Sequence, residues 1–300
     1  MNKPDISIIV INYNMARELP RTLYTLFPPY QKGICAEQVE IIVIDNGSTQ
    51  EIKLPENIRD IRLLKFDNPT PSPVSAINYG ISIASANLIG VMIDGARMAS
   101  PGLCQLALRA NRLADRCIIS TLGFHLGPKV QMESVKEGYC QEIEDRLLES
   151  ISWEKNGYEL FNISVFAGSS ASGWFNPIAE SNALFMRRNL WKELGGYDKD
   201  FQSPGGGLAN LDVYMRACEL KNTLLVTLLG EGTFHQFHGG IATNQNRKDA
   251  NWQTFHDEYK RLRGKNFTKP MKDTIYLGYF NSKCLKSFQT SIDHATSSAK

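Results

Sequence analysis

The sequence predicts an α/β protein built on a doubly wound, mostly parallel sheet with helices on both faces. Two observations carry this. Across roughly the first 122 residues, short β-branched apolar runs alternate with segments whose apolar residues keep helical spacing. The runs are continuous rather than alternating, the pattern of strands covered on both faces, as in a parallel sheet.

The elements follow in order. Ile6 to Ile11 is the first strand. Asn14 is placed to cap a helix whose Leu19, Leu23, Leu26 and Phe27 share one face, and Pro28-Pro29 ends it. Glu40 to Ile44 is a second strand, closed by the turn cluster Asp45-Asn46-Gly47-Ser48, and Ile61 to Phe66 is a third. Ser72-Pro73 and Ser100-Pro101 each place a capping residue before a proline suited to a first helical turn. Val74, Ile77, Ile81 and Ala84 form the buried face after the first; Leu103, Leu106, Ala110 and Leu113 form it after the second. Leu88 to Ile93, closed by Asp94-Gly95, and Cys117 to Leu122 complete the strands of this half.

The second half is less regular. It holds a helix over about 137–150 and a Gly/Ser-rich stretch from Ala167 to Gly173, which reads as a loop or as a mobile lid. Ala183 to Met186 is a strand, Asn189 to Leu194 a helix ended by Gly195-Gly196, Leu208 to Leu220 a helix and Leu224 to Leu229 a strand. From Arg247 the chain is polar and helical to about Arg263, then runs into a Ser/Thr/Ala-rich tail.

Composition narrows the partners. The 300 residues are 42% hydrophobic and 21% charged, with a net charge of +2 and scattered Lys and Arg. A nucleic-acid partner would ask for a concentrated basic stripe, and none is expected. No apolar run approaches the ~20 residues that span a bilayer, and the N-terminus lacks a signal-peptide core. The six cysteines stand singly, as free thiols do in a reducing compartment, so a cytoplasmic protein is expected.

Ligands of open parallel sheets bind where strands end. Three strand ends are polar: Asn12-Tyr13-Asn14 after Ile11, Asp45-Asn46-Gly47-Ser48, and Asp94-Gly95. Carboxylates there accept hydrogen bonds from base N–H groups or ribose hydroxyls. One such cluster is as readily a turn or cap; three at consecutive strand ends favour a nucleotide.

These segments resemble a known family. Ser7-Ile-Ile-Val-Ile-Asn-Tyr-Asn14 and Ile42-Val-Ile-Asp-Asn-Gly-Ser48 resemble the opening of the GT-A fold glycosyltransferases of family two. Ala76-Ile-Asn-Tyr-Gly80 and Leu88 to Asp94 resemble its next block. Ser181 to Arg188, Leu194-Gly-Gly-Tyr-Asp198 and Leu211 to Arg216 resemble its acceptor-side block. The resemblance implies a Rossmann-like GT-A domain over 1–245, with a nucleotide-binding half (about 1–122), an acceptor half (123–245), and a C-terminal helical extension and tail over 246–300. It implies transfer of a sugar from a nucleotide-sugar donor, with UDP-sugars favoured, to a glycan, glycoconjugate or glycolipid acceptor in polysaccharide assembly. Ile11, Asn12, Tyr13, Asn14 and Asp45 would hold base and ribose, with Asn78 nearby, and Asp94-Gly95 would face ribose and diphosphate.

Departures from the family pattern bear on mechanism. Ala96 stands where a second aspartate usually binds the metal, Ala209-Asn210 where an acidic pair is expected, and Ile77 where arginine is common. The leaving diphosphate still needs positive charge. It would come from a manganese or magnesium ion on Asp94 with His238 or His235, or from arginines such as Arg97, Arg187 and Arg188. Two histidines without further ligands do not make a structural zinc site. A base for the acceptor hydroxyl is expected from Asp212 or Glu180, with Glu231 third, and Trp174 and Phe175 would stack on a sugar or lie in the core. The alternative is a degenerate member that binds nucleotide or glycan without turnover. A dinucleotide oxidoreductase is disfavoured because Asn-Tyr-Asn replaces a GxGxxG loop after the first strand.

Overall fold

The computed structural model describes residues 3–55, 58, 61–240 and 252–298. The first half runs β1 (Ile6–Asn12), α1 (Leu19–Thr25), β2 (Val39–Asp45), β3 (Ile61–Lys65), α2 (Val74–Ile83), β4 (Leu88–Met92), β5 (Arg97–Ala99), α3 (Leu103–Ala110) and β6 (Cys117–Leu126). The second half adds α4 (Gln131–Ser134), α5 (Gln141–Glu149), β7 (Ser164–Phe166), β8 (Ala183–Arg187), α6 (Arg188–Leu194), α7 (Ala209–Glu219) and β9 (Leu224–His235). It closes with α8 (Trp252–Arg263), β10 (Thr274–Gly278) and α9 (Leu285–Ser298).

The described residues form one ten-stranded sheet whose main path is β10-β9-β6-β8-β4-β1-β2-β3, with β5 on β9 and β7 on β6. β1 is parallel to both β2 and β4, so the strand order reverses beside it, and in open α/β sheets ligands bind outside the carboxyl ends at such a point. β8 runs antiparallel to both β4 and β6, so it begins where β4 ends. The architecture is the predicted α/β one, with a mostly parallel sheet.

Both faces of the sheet are covered, as the continuous apolar runs require. Ile6, Ile8 and Val10 point into one core with Leu19, Leu23 and Leu103, while Ile9 and Ile11 point into the other with Ile77, Trp191 and Tyr214. Gly80 on α2 is needed for that contact, because a Cβ there would stand 2.4 Å from Ile9 Cγ2. Truncating a fully buried isoleucine such as Ile9 to alanine costs about 2–5 kcal/mol in cores of this kind.

Several local expectations change. Asn14 does not cap α1, which starts five residues later with Glu18 before it. Asn14 is left-handed instead (φ 52°), and its Oδ1 accepts from Thr49 N and Gln50 N at 2.8 and 3.2 Å. Ser72 Oγ donates to Phe201 O at 2.6 Å, and Ser100 Oγ donates to Glu231, so neither serine caps a helix. The Gly/Ser stretch is pinned rather than poised as a lid: Gly123 N–H donates to Ser170 Oγ at 3.0 Å, and Trp174 N–H to Ser291 Oγ at 3.1 Å. Trp174 is core, stacked on Phe288 at 4.7 Å.

The C-terminal residues bring the expected helix as α8; beyond Arg263, where a loose tail was expected, stand β10, which pairs parallel with β9, and the helix α9. Phe255, Tyr259, Cys284 and Phe288 share the core that contains Ile9 and Trp174. The start of the expected helix at Arg247 lies outside the described residues. Among the described residues, no helix is long and apolar enough to cross a membrane.

Candidate active site

The carboxyl edge of β2, β1 and β4 gathers three of the predicted polar ends. Asn12 and Asp45 are register partners at the last positions of β1 and β2, and Asn12 Nδ2 donates to Asp45 Oδ1 at 3.2 Å. Ser48 closes the group. Its hydroxyl donates to Asp45 and accepts from Asn12 Nδ2 at 3.0 Å and from the Asn14 N–H at 2.9 Å. The left-handed Asn14 therefore ties the loop after β1 to the loop after β2. Asn12 Oδ1 is buried without a donor, and Tyr13 beside it is 54% exposed, so an acceptor and an aromatic face lie together. Ile11 has its side chain in the core, which leaves its backbone as the group near the edge.

Asp94 follows β4, on the other side of β1. One strand separates it from Asp45, so the two strand axes are about 10 Å apart, a span suited to one ligand. Gly95 packs close, where an added Cβ would stand 3.2 Å from Asn12 Oδ1. Asp94 Oδ1 accepts from the Ala96 N–H at 3.1 Å, and Oδ2 stands 3.6 Å from His235 Nε2 and 3.3 Å from Arg97 Nε. His235 Nε2 and His238 Nε2 are 3.2 Å apart. The three residues offer ligand atoms within 4.8 Å of one another. Ligands about 2.1 Å from an octahedral cation stand about 3 Å apart, so the set fits a divalent ion with little rearrangement.

The imidazoles are prepared for that role. Gln131 Nε2 donates to His235 O at 2.9 Å, which turns its Oε1 to accept from His235 Nδ1–H at 2.6 Å and leaves the Nε2 lone pair facing Asp94. Burial pushes the His235 and His238 imidazoles below the ordinary range, with the Arg97 charge acting in the same direction. His125, the register partner of His235 on β6, is lowered to about 3 by burial and then by Arg97. Neutral imidazole is the ligand form. Behind the loop, Glu144 accepts the Phe237 N–H at 2.8 Å and pairs with Arg17 at 3.3 Å, which fixes the approach to His238.

Arg97 sits in the middle of this group on β5, opposite His235. It is 6% exposed, and its Nε and one terminal nitrogen are buried without a hydrogen-bond partner. The Nε lies near Asp94 without the alignment of a hydrogen bond. The other arginines considered as clamps are engaged elsewhere: Arg187 binds Asn111 and Asp115, and Arg188 binds the carbonyls of Ala84 and Ala86.

The remaining predicted residues divide. Glu180 precedes β8, whose Ala183 pairs with Met92, so it stands at the same edge as Asp94. It is partly buried, and Oε2 accepts from Asn210 Nδ2 at 2.6 Å, while Asn210 Oδ1 accepts from Tyr197 OH at 3.0 Å. Asn78 has its amide occupied by backbone: its Nδ2 donates to Tyr197 O at 2.8 Å and its Oδ1 accepts from Tyr197 N at 2.9 Å. Asp212 is 1% exposed, with both oxygens held by Arg216 (2.7 Å) and Arg263 (2.6 and 2.8 Å). Glu231 is buried against Ser100, the Gly102 N–H and Tyr158. The sequence reading gave His235 a secondary place and left out His125 and Gln131; a histidine at the end of a strand beside Asp94 was the available signal.

Comparison with known proteins agrees with this frame. Residues 7–160 match the family described as glycosyl transferase family 2. No curated protein matches the sequence. Among solved structures, S. aureus TarS is similar at 11% identity and TM-score 0.50, over 78% of this chain and 37% of the TarS chain. The chain thus spans little more than a third of TarS. TarS 1-349 in complex with UDP-GlcNAc is similar at 11% identity and TM-score 0.48, over 77% of this chain and 59% of that one. The mannosyltransferase PcManGT from Pyrobaculum calidifontis, in complex with GDP-Man and Mn2+, gives 14% identity and TM-score 0.48 over 100% and 76%. With a match over more than half its length that includes β1, β2, β4 and the ends of all three, the chain belongs to glycosyl transferase family 2 and carries the GT-A fold.

Proposed function

We propose that the chain transfers a sugar from a nucleoside diphosphate sugar, with uridine diphosphate favoured, to a hydroxyl of a glycan, glycoconjugate or glycolipid in polysaccharide assembly. The observation that carries this is the meeting of Asn12, Asp45, Asp94, His235, His238 and Arg97 at one edge of the sheet. Acceptors at Asn12 and Asp45 suit a base with a ring N–H donor, such as uracil, thymine or guanine, and Tyr13 offers a face for stacking. The diphosphate lies toward Asp94-Gly95 and Arg97. A manganese or magnesium ion, held by Asp94, His235 and His238, would supply charge neutralisation for the leaving diphosphate.

Glu180 is the base we favour, because Asn210 orients its carboxylate at the edge where an acceptor would enter. It takes the proton of the acceptor hydroxyl as that oxygen bonds to the anomeric carbon. The bond from that carbon to the diphosphate oxygen breaks, and the nucleoside diphosphate leaves with the electron pair. We place the reaction in the cytoplasm, consistent with six cysteines that are all free thiols.

Calorimetric titration with UDP, GDP and dTDP, with and without manganese, tests the donor reading. Binding of one of them at micromolar to millimolar strength is expected, and silence with all three removes the proposal. Ala96 and Asn210, in place of carboxylates, favour a second reading, a member that binds without turnover. Hydrolysis of the bound nucleotide sugar by the wild type but not by Asp94→Ala would exclude it.

A further inference from the structure

We infer that Arg97 is a diphosphate-binding residue that makes cation binding at Asp94, His235 and His238 conditional on the nucleotide. The inference rests on the donor reading above and deepens it. A buried guanidinium normally has its N–H groups met, because desolvating an unpaired charge is costly. Here two of its nitrogens are buried and unpartnered, in a residue 6% exposed beside Asp94. Arginine's planar fork matches two phosphate oxygens at once. The acid paired with it among the described residues is Asp94, which is also the carboxylate offered to a cation.

The charges then decide the order of events. Asp94 and Arg97 cancel, Glu18 is already paired with Arg17 at 2.7 Å, and Ala96 adds no second carboxylate. A divalent cation entering the bare site meets a guanidinium beside its only anionic ligand. A nucleoside diphosphate brings the missing negative charge, satisfies the guanidinium and bridges it to the cation. Each ligand therefore raises the affinity of the other, and by linkage the two factors are equal.

The effects of neutralising Arg97 have opposite signs for the two ligands, which a merely structural residue would not produce. In Arg97→Met, Mn2+ added alone should bind at least about tenfold more tightly than to wild type, and UDP added alone at least about tenfold more weakly. Arg97→Lys, which keeps the charge, should stay near wild type for Mn2+ alone. Isothermal titration of the full chain with Mn2+ alone, UDP alone and each in the presence of the other reads all of these. Should Arg97→Met fail to fold by circular dichroism, Arg97→Gln serves as the neutral variant. The wild-type arms need no variant: Mn2+ affinity unchanged by saturating UDP overturns the inference. So does a neutral variant in which both affinities move the same way or neither moves. Failure of UDP, GDP and dTDP alike to bind the wild type would instead remove the donor reading itself.

Discussion

Asp94 and Asp212 each stand beside arginine, and the way their hydrogen bonds are filled differs. Asp212 is buried on α7, and Arg216 and Arg263 together give its two oxygens three well-placed N–H donors. The arginines are themselves held further, by the carbonyls of Leu194 and Gly196 and by Asp198. Nothing in that cluster is left to bind a ligand; it ties α8 to α7 and to the loop after α6. Asp94 keeps 19% of its side chain exposed, with one backbone donor, a misaligned guanidinium and two imidazoles. A filled carboxylate is a brace, and an underfilled one beside a guanidinium with unfilled N–H groups is a candidate binding site.

The comparison breaks if the two aspartates respond alike to the same substitution. Asp94→Asn should lower turnover about 10²–10³-fold, the range for removing one electrostatic partner of a transition state, and weaken nucleotide binding in the presence of manganese. Glu180→Gln should lower turnover in kind while leaving nucleotide affinity intact, which separates the proposed base from the donor site. Steady-state kinetics with calorimetric affinities read both. Asp212→Asn should do the reverse: nucleotide affinity stays, and stability falls by about 3 kcal/mol, the low end for breaking a buried pair because the arginines are only partly buried. Urea unfolding measures that loss. Equal losses of stability at 94 and 212 would remove the distinction.

How much of this was legible beforehand follows from what each signal depends on. β1, β2 and β4 were readable because strands covered on both faces must be apolar throughout, and Asn12, Asp45 and Asp94 stood out because three polar clusters at strand ends are harder to explain as turns or caps than one. β9 was foreseen only to Leu229: Gly230-Glu231-Gly232 interrupts the apolar run, and the strand continues to His235 through its pairing with β6. β10 is a partly exposed edge strand of five residues, with no periodic pattern to betray it. Within the site, resemblance supplied the positions of Asn78 and Asp212 but not their partners, which lie 119 and 51 residues away at Tyr197 and Arg263. Arg97 was named with Arg187 and Arg188 as a candidate for the diphosphate; the burial and unfilled N–H groups that set it apart from those two are not encoded in local sequence.

A third carboxylate sharpens the rule by testing a group that is filled but has no cation. Glu231 accepts from Ser100 Oγ, the Gly102 N–H and Tyr158 OH, yet burial pushes its carboxyl up to about 7 from 4.5. Between those two values the folded chain holds a proton that the unfolded chain has released. The Glu231 contribution to stability therefore falls as pH rises from about 4.5 to about 7 and levels off above. Glu144 is raised to about 7 as well, burial again outweighing Arg17, so it adds a slope of the same sign. The buried His125, His235 and His238, lowered by desolvation, add a contribution that rises with pH up to the ordinary histidine range. Glu231→Gln removes one of the two carboxyl contributions. The melting temperature of this variant relative to that of the wild type should therefore rise between pH 5 and pH 8, because the histidine and Glu144 contributions are common to both proteins. Parallel pH profiles for the two proteins would mean that Glu231 is already ionised in the fold, and that its three donors alone are enough to hold a buried charge.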